Sequence, residues 1–128
     1  MRAIDLVAYP DILEVDEVRP DRNYTNHYRV GGVKLTIDGS PQGKTAWLTE
    51  PYYVPPEGQG KDYAGYAAID EKTTNEAVEK AYAHGWQILC HANGDAASDR
   101  FINAVRLAKK KYPDVDNRPV LIHGQVLR

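Results

Sequence analysis

Apolar positions along the chain fall into short continuous runs and longer stripes, and the two patterns predict different elements. Ile4-Asp5-Leu6-Val7-Ala8-Tyr9 stops at Pro10 and reads as a strand, although its length alone leaves a buried helical turn open. Val30 to Ile37 is rich in β-branched residues and ends at the turn Asp38-Gly39-Ser40-Pro41, which predicts a second strand. Between them, Asp11 to His27 mixes acids, bases and Pro20 with scattered apolar residues and reads mostly as surface connection. Further on, Thr73-Thr74-Asn75-Glu76 fits a capping box. Ala77, Val78, Ala81 and Tyr82 then form a helical stripe, and Gly85 stands at the C′ position. Trp86 to His91 is the next predicted strand. Asn93-Gly94-Asp95 follows as a turn with Asp95 as candidate N-cap, and Ala97, Phe101, Ile102, Val105 and Ala108 mark a second helix running to about Lys111. Pro119 to His123 closes the series as a short strand.

Strands alternating with helices at this spacing are βα units. The nearly continuous apolar character of the last two strands is what a parallel sheet covered on both faces requires. The predicted class is α/β, in a single domain over 1–128. Gly39 to Asp70 has no sustained period yet carries Trp47, Tyr52, Tyr53, Tyr63 and Tyr66. Loops of that length are uncommon in compact domains and are usually functional or disordered, and the aromatic content argues for an ordered one. The last strand is followed by no crossover helix before Arg128, so the sequence reads as cut rather than completed.

Composition narrows the function classes. Sixteen Lys+Arg against 18 Asp+Glu give a formal charge of −2, and the lone basic run, Lys109 to Lys111, sits where cations favour a helix C-terminus. A nucleic-acid partner, which needs a basic face, is not expected. The first apolar run, from Ala3 to Tyr9, is too short for a signal or membrane segment, and the single cysteine, Cys90, excludes an internal disulfide framework. A reducing, cytoplasmic setting follows as an expectation, in which the sequon Asn23-Tyr24-Thr25 carries no meaning.

Lys34, His91 and His123 fall at or near the C-terminal ends of predicted parallel strands, the edge where α/β folds build their sites. Imidazoles ending neighbouring strands stand about 5 Å apart in backbone terms and can share one cation. The competing reading makes each histidine an ordinary hydrogen-bonding residue. Lys34 has two readings as well. It is a snorkelling lysine or a partner for Asp38, or it is a desolvated amine whose neutral form makes a Schiff base or takes up carbon dioxide as an oxygen-donating carbamate. His27 and His84 receive no role, the Asn93-Gly94-Asp95 turn is a weak anion cradle, and Cys90, facing away from His91 on its strand, reads as core.

The stretch Gly31-Gly32-Val33-Lys34-Leu35-Thr36-Ile37-Asp38-Gly39-Ser40-Pro41-Gln42-Gly43-Lys44-Thr45-Ala46, with Glu50-Pro51-Tyr52 behind it, resembles the lysine-bearing strand and loop of amidohydrolase family 3. That group is the N-substituted formamide deformylase-like branch of the metal-dependent amidohydrolases. His91-Ala92-Asn93-Gly94-Asp95-Ala96-Ala97 and Val120-Leu121-Ile122-His123-Gly124-Gln125 resemble its next two motifs, in order. The resemblance implies a partial TIM (β/α)8 barrel, with this chain supplying about four parallel strands of a fold that needs about 250 residues. It implies a divalent metal, zinc by the histidine-rich donor set, held by Lys34 as a carboxylated lysine together with His91 and His123. It also implies hydrolysis of C–N bonds in small amide-type substrates. The family's His-x-His pair and its late aspartate, ligand and proton shuttle at once, are not in this sequence, so the 128 residues alone are expected to be inactive.

Around that core, the loop over 39–70 is expected to cover the site, with Trp47, Tyr52 and Tyr53 as candidates for substrate contact or for anchoring the loop. Asn93 and Gln125 are candidates for orienting the ligands. The reading from another class is a non-catalytic α/β module acting through self-association or a partner. In either case open sheet edges and an uncovered apolar face predict pairing with a second copy.

Overall fold

The computed structural model describes residues 4–128; Ala3, the start of the first apolar run, lies outside the described residues. Its strands are β1 (Leu6–Ala8), β2 (Tyr28–Val30), β3 (Val33–Thr36), β4 (Ile88–Ala92) and β5 (Val120–His123), with helices α1 (Glu71–Ala83) and α2 (Asp95–Lys111) on either side of β4 in the chain. Every ladder is parallel: β1 pairs with β2, and β3, β4 and β5 follow in that order. The two ladders are joined at Asp11, which bridges Lys34, while Lys34 N donates to Pro10 O and Ile12 N to Lys34 O. The α/β class with parallel strands is thus observed.

The predicted strand over Val30 to Ile37 is two strands, and the glycines between them give the reason. A Cβ on Gly32 would lie 2.1 Å from the Gln87 carbonyl oxygen, and one on Gly31 would meet the Tyr9 ring at 2.6 Å. At this bend the backbone itself packs against its neighbours, a close approach that favours glycine. The segment read as surface connection also contributes to the core, because Ile12 and Val18 are buried.

Alternation along β3 and β4 sorts the sheet into two faces. Val33, Leu35, Ile37, Ile88, Cys90 and Ala92 are fully buried against Ala77, Val78, Ala81 and Tyr82 of α1 and Ala97, Phe101, Ala104 and Ala108 of α2. Lys34, Thr36, Leu89 and His91 occupy the opposite face and are half-buried.

Both helix starts differ from the sequence reading. α1 begins a turn earlier than the capping box suggests, because the Asp70 carboxylate accepts from Thr73 N at 2.7 Å, while the buried Thr74 hydroxyl donates back to Asp70 O. α2 has Gly94 at its N-cap with no side-chain cap, and Asp95 is its first residue. Ile102 turns to solvent, and Ala104 takes the core position in its place. Gly85 follows α1 with φ +66°, the left-handed stop expected of it.

Candidate metal centre

Register sets the geometry at the C-terminal edge of the sheet. Thr36, His91 and Ile122 lie level across β3, β4 and β5, and Lys34 lies two residues before Thr36 on the same face as His91. His123 is level with Ala92, so simple alternation would place it with the helix-facing layer. Instead its backbone takes φ +79°, and its ring lies edge-on to that of His91 with centroids 4.6 Å apart. A positive φ at a non-glycine residue costs on the order of 1–3 kcal/mol and tends to occur where side-chain direction matters.

His91 is oriented by its surroundings. Its Nε2 lies 2.8 Å from the Gly39 carbonyl oxygen, a contact that is attractive only if Nε2 carries the proton. The lone pair is then on Nδ1. Donation of one ring N–H to a backbone carbonyl is the arrangement found behind metal-ligating histidines. Asn93 donates from Nδ2 to the same Gly39 oxygen at 2.7 Å, and its buried Oδ1 has no hydrogen-bond partner among the described residues. Among the described residues no three His, Cys, Asp or Glu side chains converge, so a cation here needs Lys34 or groups from outside these residues to complete its shell.

Asp38 is the residue the sequence reading missed. Its carboxylate is fully buried and accepts from Asn93 N at 2.9 Å through Oδ1, and from Trp47 N at 2.9 Å and Gly94 N at 2.8 Å through Oδ2. The idea of Asp38 as partner to Lys34 is corrected: among the described residues no ion pair joins them, and the carboxylate accepts from backbone N–H groups instead. His91 Nε2 is 3.7 Å from Oδ1, beyond hydrogen-bond reach. The available signal was an Asp-Gly pair directly after a strand, which reads equally well as an ordinary turn.

The segment over 39–70 contains no helix or strand and is held by specific bonds. Thr49 donates from its backbone N at 2.9 Å and from its hydroxyl to the two oxygens of Asp95. Partial burial pushes the Asp95 carboxyl up, but hydrogen bonds from Thr49 and Ala96 N and the charge of Arg128 outweigh it and leave the pKa lowered. The Trp47 ring lies under Arg100 of α2, 4.2 Å from the guanidinium carbon. Tyr52 donates to Ala46 O, its ring 5.8 Å from that of Tyr63, and Tyr53 is fully exposed. Trp47 and Tyr52 therefore have partners in the loop and on α2, and among the described residues no ring stacking joins any of the three to the imidazole pair. Gln125 is exposed and accepts from Gln42 Nε2 at 3.3 Å, tying the end of the chain to the start of the loop.

Known proteins match this arrangement. The amidohydrolase family model matches residues 6–128. YtcJ of Bacillus subtilis (strain 168), named as an amidohydrolase, is 35% identical over 98 residues, which is 76% of this chain and 17% of that protein. An uncharacterized metal-dependent hydrolase from Pyrococcus furiosus superposes with a TM-score of 0.64 at 29% identity, covering 82% of this chain and 22% of that one. A second, from Pyrococcus horikoshii OT3, gives 0.55 at 30% identity, covering 67% and 17%. The chain spans about a fifth of the length of these relatives, or less. A match over nearly all of its residues, on the strands that carry Lys34, His91 and His123, means that the chain belongs to the amidohydrolase family.

Proposed function

We propose that these residues form one wall of the metal site of a hydrolase that cleaves C–N bonds of small amide-type molecules, in the N-substituted formamide deformylase-like branch, on a TIM (β/α)8 barrel in the cytoplasm. The observation that carries the reading is the meeting of the His91 and His123 rings at the C-terminal edge of parallel strands, with His91 Nε2 facing the Gly39 carbonyl and no hydrogen bond to Nδ1 among the described residues. The residues fit a cation: two imidazoles are nitrogen donors suited to zinc, one of them already oriented by a backbone carbonyl. Lys34, on the same face and two residues below His91, completes the set as a carbamate. Its amine nitrogen bonds to the carbon of carbon dioxide, a proton leaves to solvent, and two oxygen donors result. When bound, a divalent cation supplies Lewis acidity toward a carbonyl and activates a water at neutral pH. His91 and His123 hold it, Asn93 and Gln125 orient the surroundings, and Trp47, Tyr52 and Tyr53 belong to the loop that closes over the substrate.

The 128 residues alone bind the cation more weakly than a full donor set would and do not turn over substrate, because the sequence contains no His-x-His pair and, among the described residues, no carboxylate hydrogen-bonds either imidazole, Asp38 Oδ1 standing 3.7 Å from His91 Nε2. The test is Zn²⁺ titration of the chain by calorimetry, with an intact mass recorded at mild pH. Saturable binding lost in both His91→Ala and His123→Ala, with one carbon dioxide adduct absent from Lys34→Ala, is the expected result. Failure of the unmodified chain to bind Zn²⁺, with Lys34 unadducted, overturns the proposal and leaves the non-catalytic module.

A further inference from the structure

The His91 ring is held by a relay that begins at Asp38. The Asp38 carboxylate gathers three backbone N–H groups: Trp47 from the long loop, and Asn93 and Gly94 from the turn between β4 and α2. Asn93, fixed through its own backbone, points its amide Nδ2 at the Gly39 carbonyl, and that carbonyl lies 2.8 Å from His91 Nε2, where it accepts a hydrogen bond when Nε2 carries the proton. Asn93 Nδ2 also lies 3.1 Å from His91 Nε2, which raises the opposite assignment, an unprotonated Nε2 accepting from the amide. That assignment leaves two lone pairs facing across the 2.8 Å separation from Gly39 O, whereas a protonated Nε2 lets one carbonyl accept from two donors. Gly39 is itself fixed, donating to Thr45 O at 3.0 Å, and a Cβ on it would fall 2.0 Å from Thr45 Oγ1.

We infer that Asp38 is a positioning residue that couples the seating of the loop over 39–70 to the tautomer of His91, keeping the proton on Nε2 and the lone pair on Nδ1. Asp38 touches no reacting atom in this role; it acts through Asn93 and Gly39. Only the affinity part of its test rests on the metal reading above.

Asp38→Asn is the informative variant. The asparagine oxygen can replace one carboxylate oxygen, but its NH₂ must then face a backbone N–H, so one arm of the hub is turned from acceptor to donor while the volume is kept. The experiment records ¹⁵N–¹H long-range correlations of the His91 imidazole in the 128-residue chain, unmodified and as D38N, followed by Zn²⁺ titration at fixed pH. The unmodified chain is expected to show Nε2–H alone. D38N is expected to show a mixture of tautomers and a Zn²⁺ affinity lower by about 10- to 100-fold, the usual effect of removing a group behind a ligand. A merely structural role would lower the melting temperature and leave the tautomer unchanged. Should D38N not fold, Asn93→Ala, which cuts the relay one step later and leaves the Asp38 hub in place, is expected to give the same mixture. An Nδ1–H signal in the unmodified chain overturns the inference, as does a tautomer unchanged in whichever variant folds. A chain that shows Nε2–H and binds no Zn²⁺ refutes the metal reading and leaves the relay standing.

Discussion

Cys90 sits among the fully buried residues of the helix-facing layer, and the main cause acting on its thiol is desolvation, reinforced by the negative charge of Asp38 and opposed by Lys34. Together these push its pKa far above the ordinary thiol range. The sign of the pH effect follows. The unfolded chain loses this proton near its ordinary value, about 8.5, while the folded chain keeps it, so stability is complete below that value and falls as pH rises through it. Cys90→Ala is expected to cost about 1 kcal/mol at neutral pH for the missing sulfur, and to flatten the decline between about pH 8 and 10, measured by urea melts across that range. Tyr52 and Tyr82, also raised mainly by burial, lose their protons in the unfolded chain only near their ordinary value of about 10, so the lower part of the range isolates the thiol. Residues of this kind differ in how far the sequence reveals them. Cys90 was legible as core because strand alternation turns it away from His91. Asp38 was not, since nothing local distinguishes a turn aspartate from one whose carboxylate gathers N–H groups from two distant segments. Nor does alternation give the turn of His123 toward His91, which depends on one backbone angle.

Among the elements, α2 and the long loop approach each other most closely at Gly94, beside the Thr49–Asp95 and Trp47–Arg100 contacts. Gly94 has φ −78°, which any residue adopts, so the position is restricted by approach: a Cβ there would lie 1.8 Å from the Trp47 carbonyl oxygen. Gly94→Ala is therefore expected to push the loop off the start of α2, costing about 1–3 kcal/mol by denaturant melts and speeding hydrogen exchange at Trp47 and Thr49. If exchange at those amides stays as slow as in the unmodified chain, the loop is held without this contact. The Asp95 tether to Thr49 adds a pH dependence of opposite sense to that of Cys90. Its lowered folded pKa means that its contribution is present above the ordinary carboxylate value, about 3.9, and is lost as pH falls through the folded one. Sequence patterns placed both helices correctly and misplaced both starts for the same physical reason. Several polar residues near each start can accept a backbone N–H, and the pattern alone does not say which one does so, whether the partner is local as at α1 or distant as at α2. Thr49 draws the Asp95 carboxylate, and Asp70 claims the N–H of Thr73.

For the molecule as a whole, the parallel ladders leave β1 and β5 as the outer members of their sheets, with Leu6 60%, Val7 37% and Val120 39% exposed. Unpaired N–H and C=O groups along such strands, beside apolar side chains, form a template for another strand. The face of β3 and β4 opposite the helices adds Leu89 and Thr36, half-buried around Lys34 and His91, with no second layer over them among the described residues. One packed layer of helices covers one face of a sheet, and α/β architecture normally covers both. The expected occupant of the open face and edges in a solution of this chain is a second copy, since every copy presents the same complementary surfaces. Sedimentation velocity over a concentration series is expected to show a sedimentation coefficient that rises with concentration. Leu6→Lys and Val120→Lys, which place charge on the two edges without touching the helix-facing core, are expected to hold the chain as a monomer. Zn²⁺ binding in those two variants separates the interface from the metal site. Retained affinity in the monomeric variants places the whole donor set within one copy, whereas affinity lost together with association places part of the cation's shell on the partner.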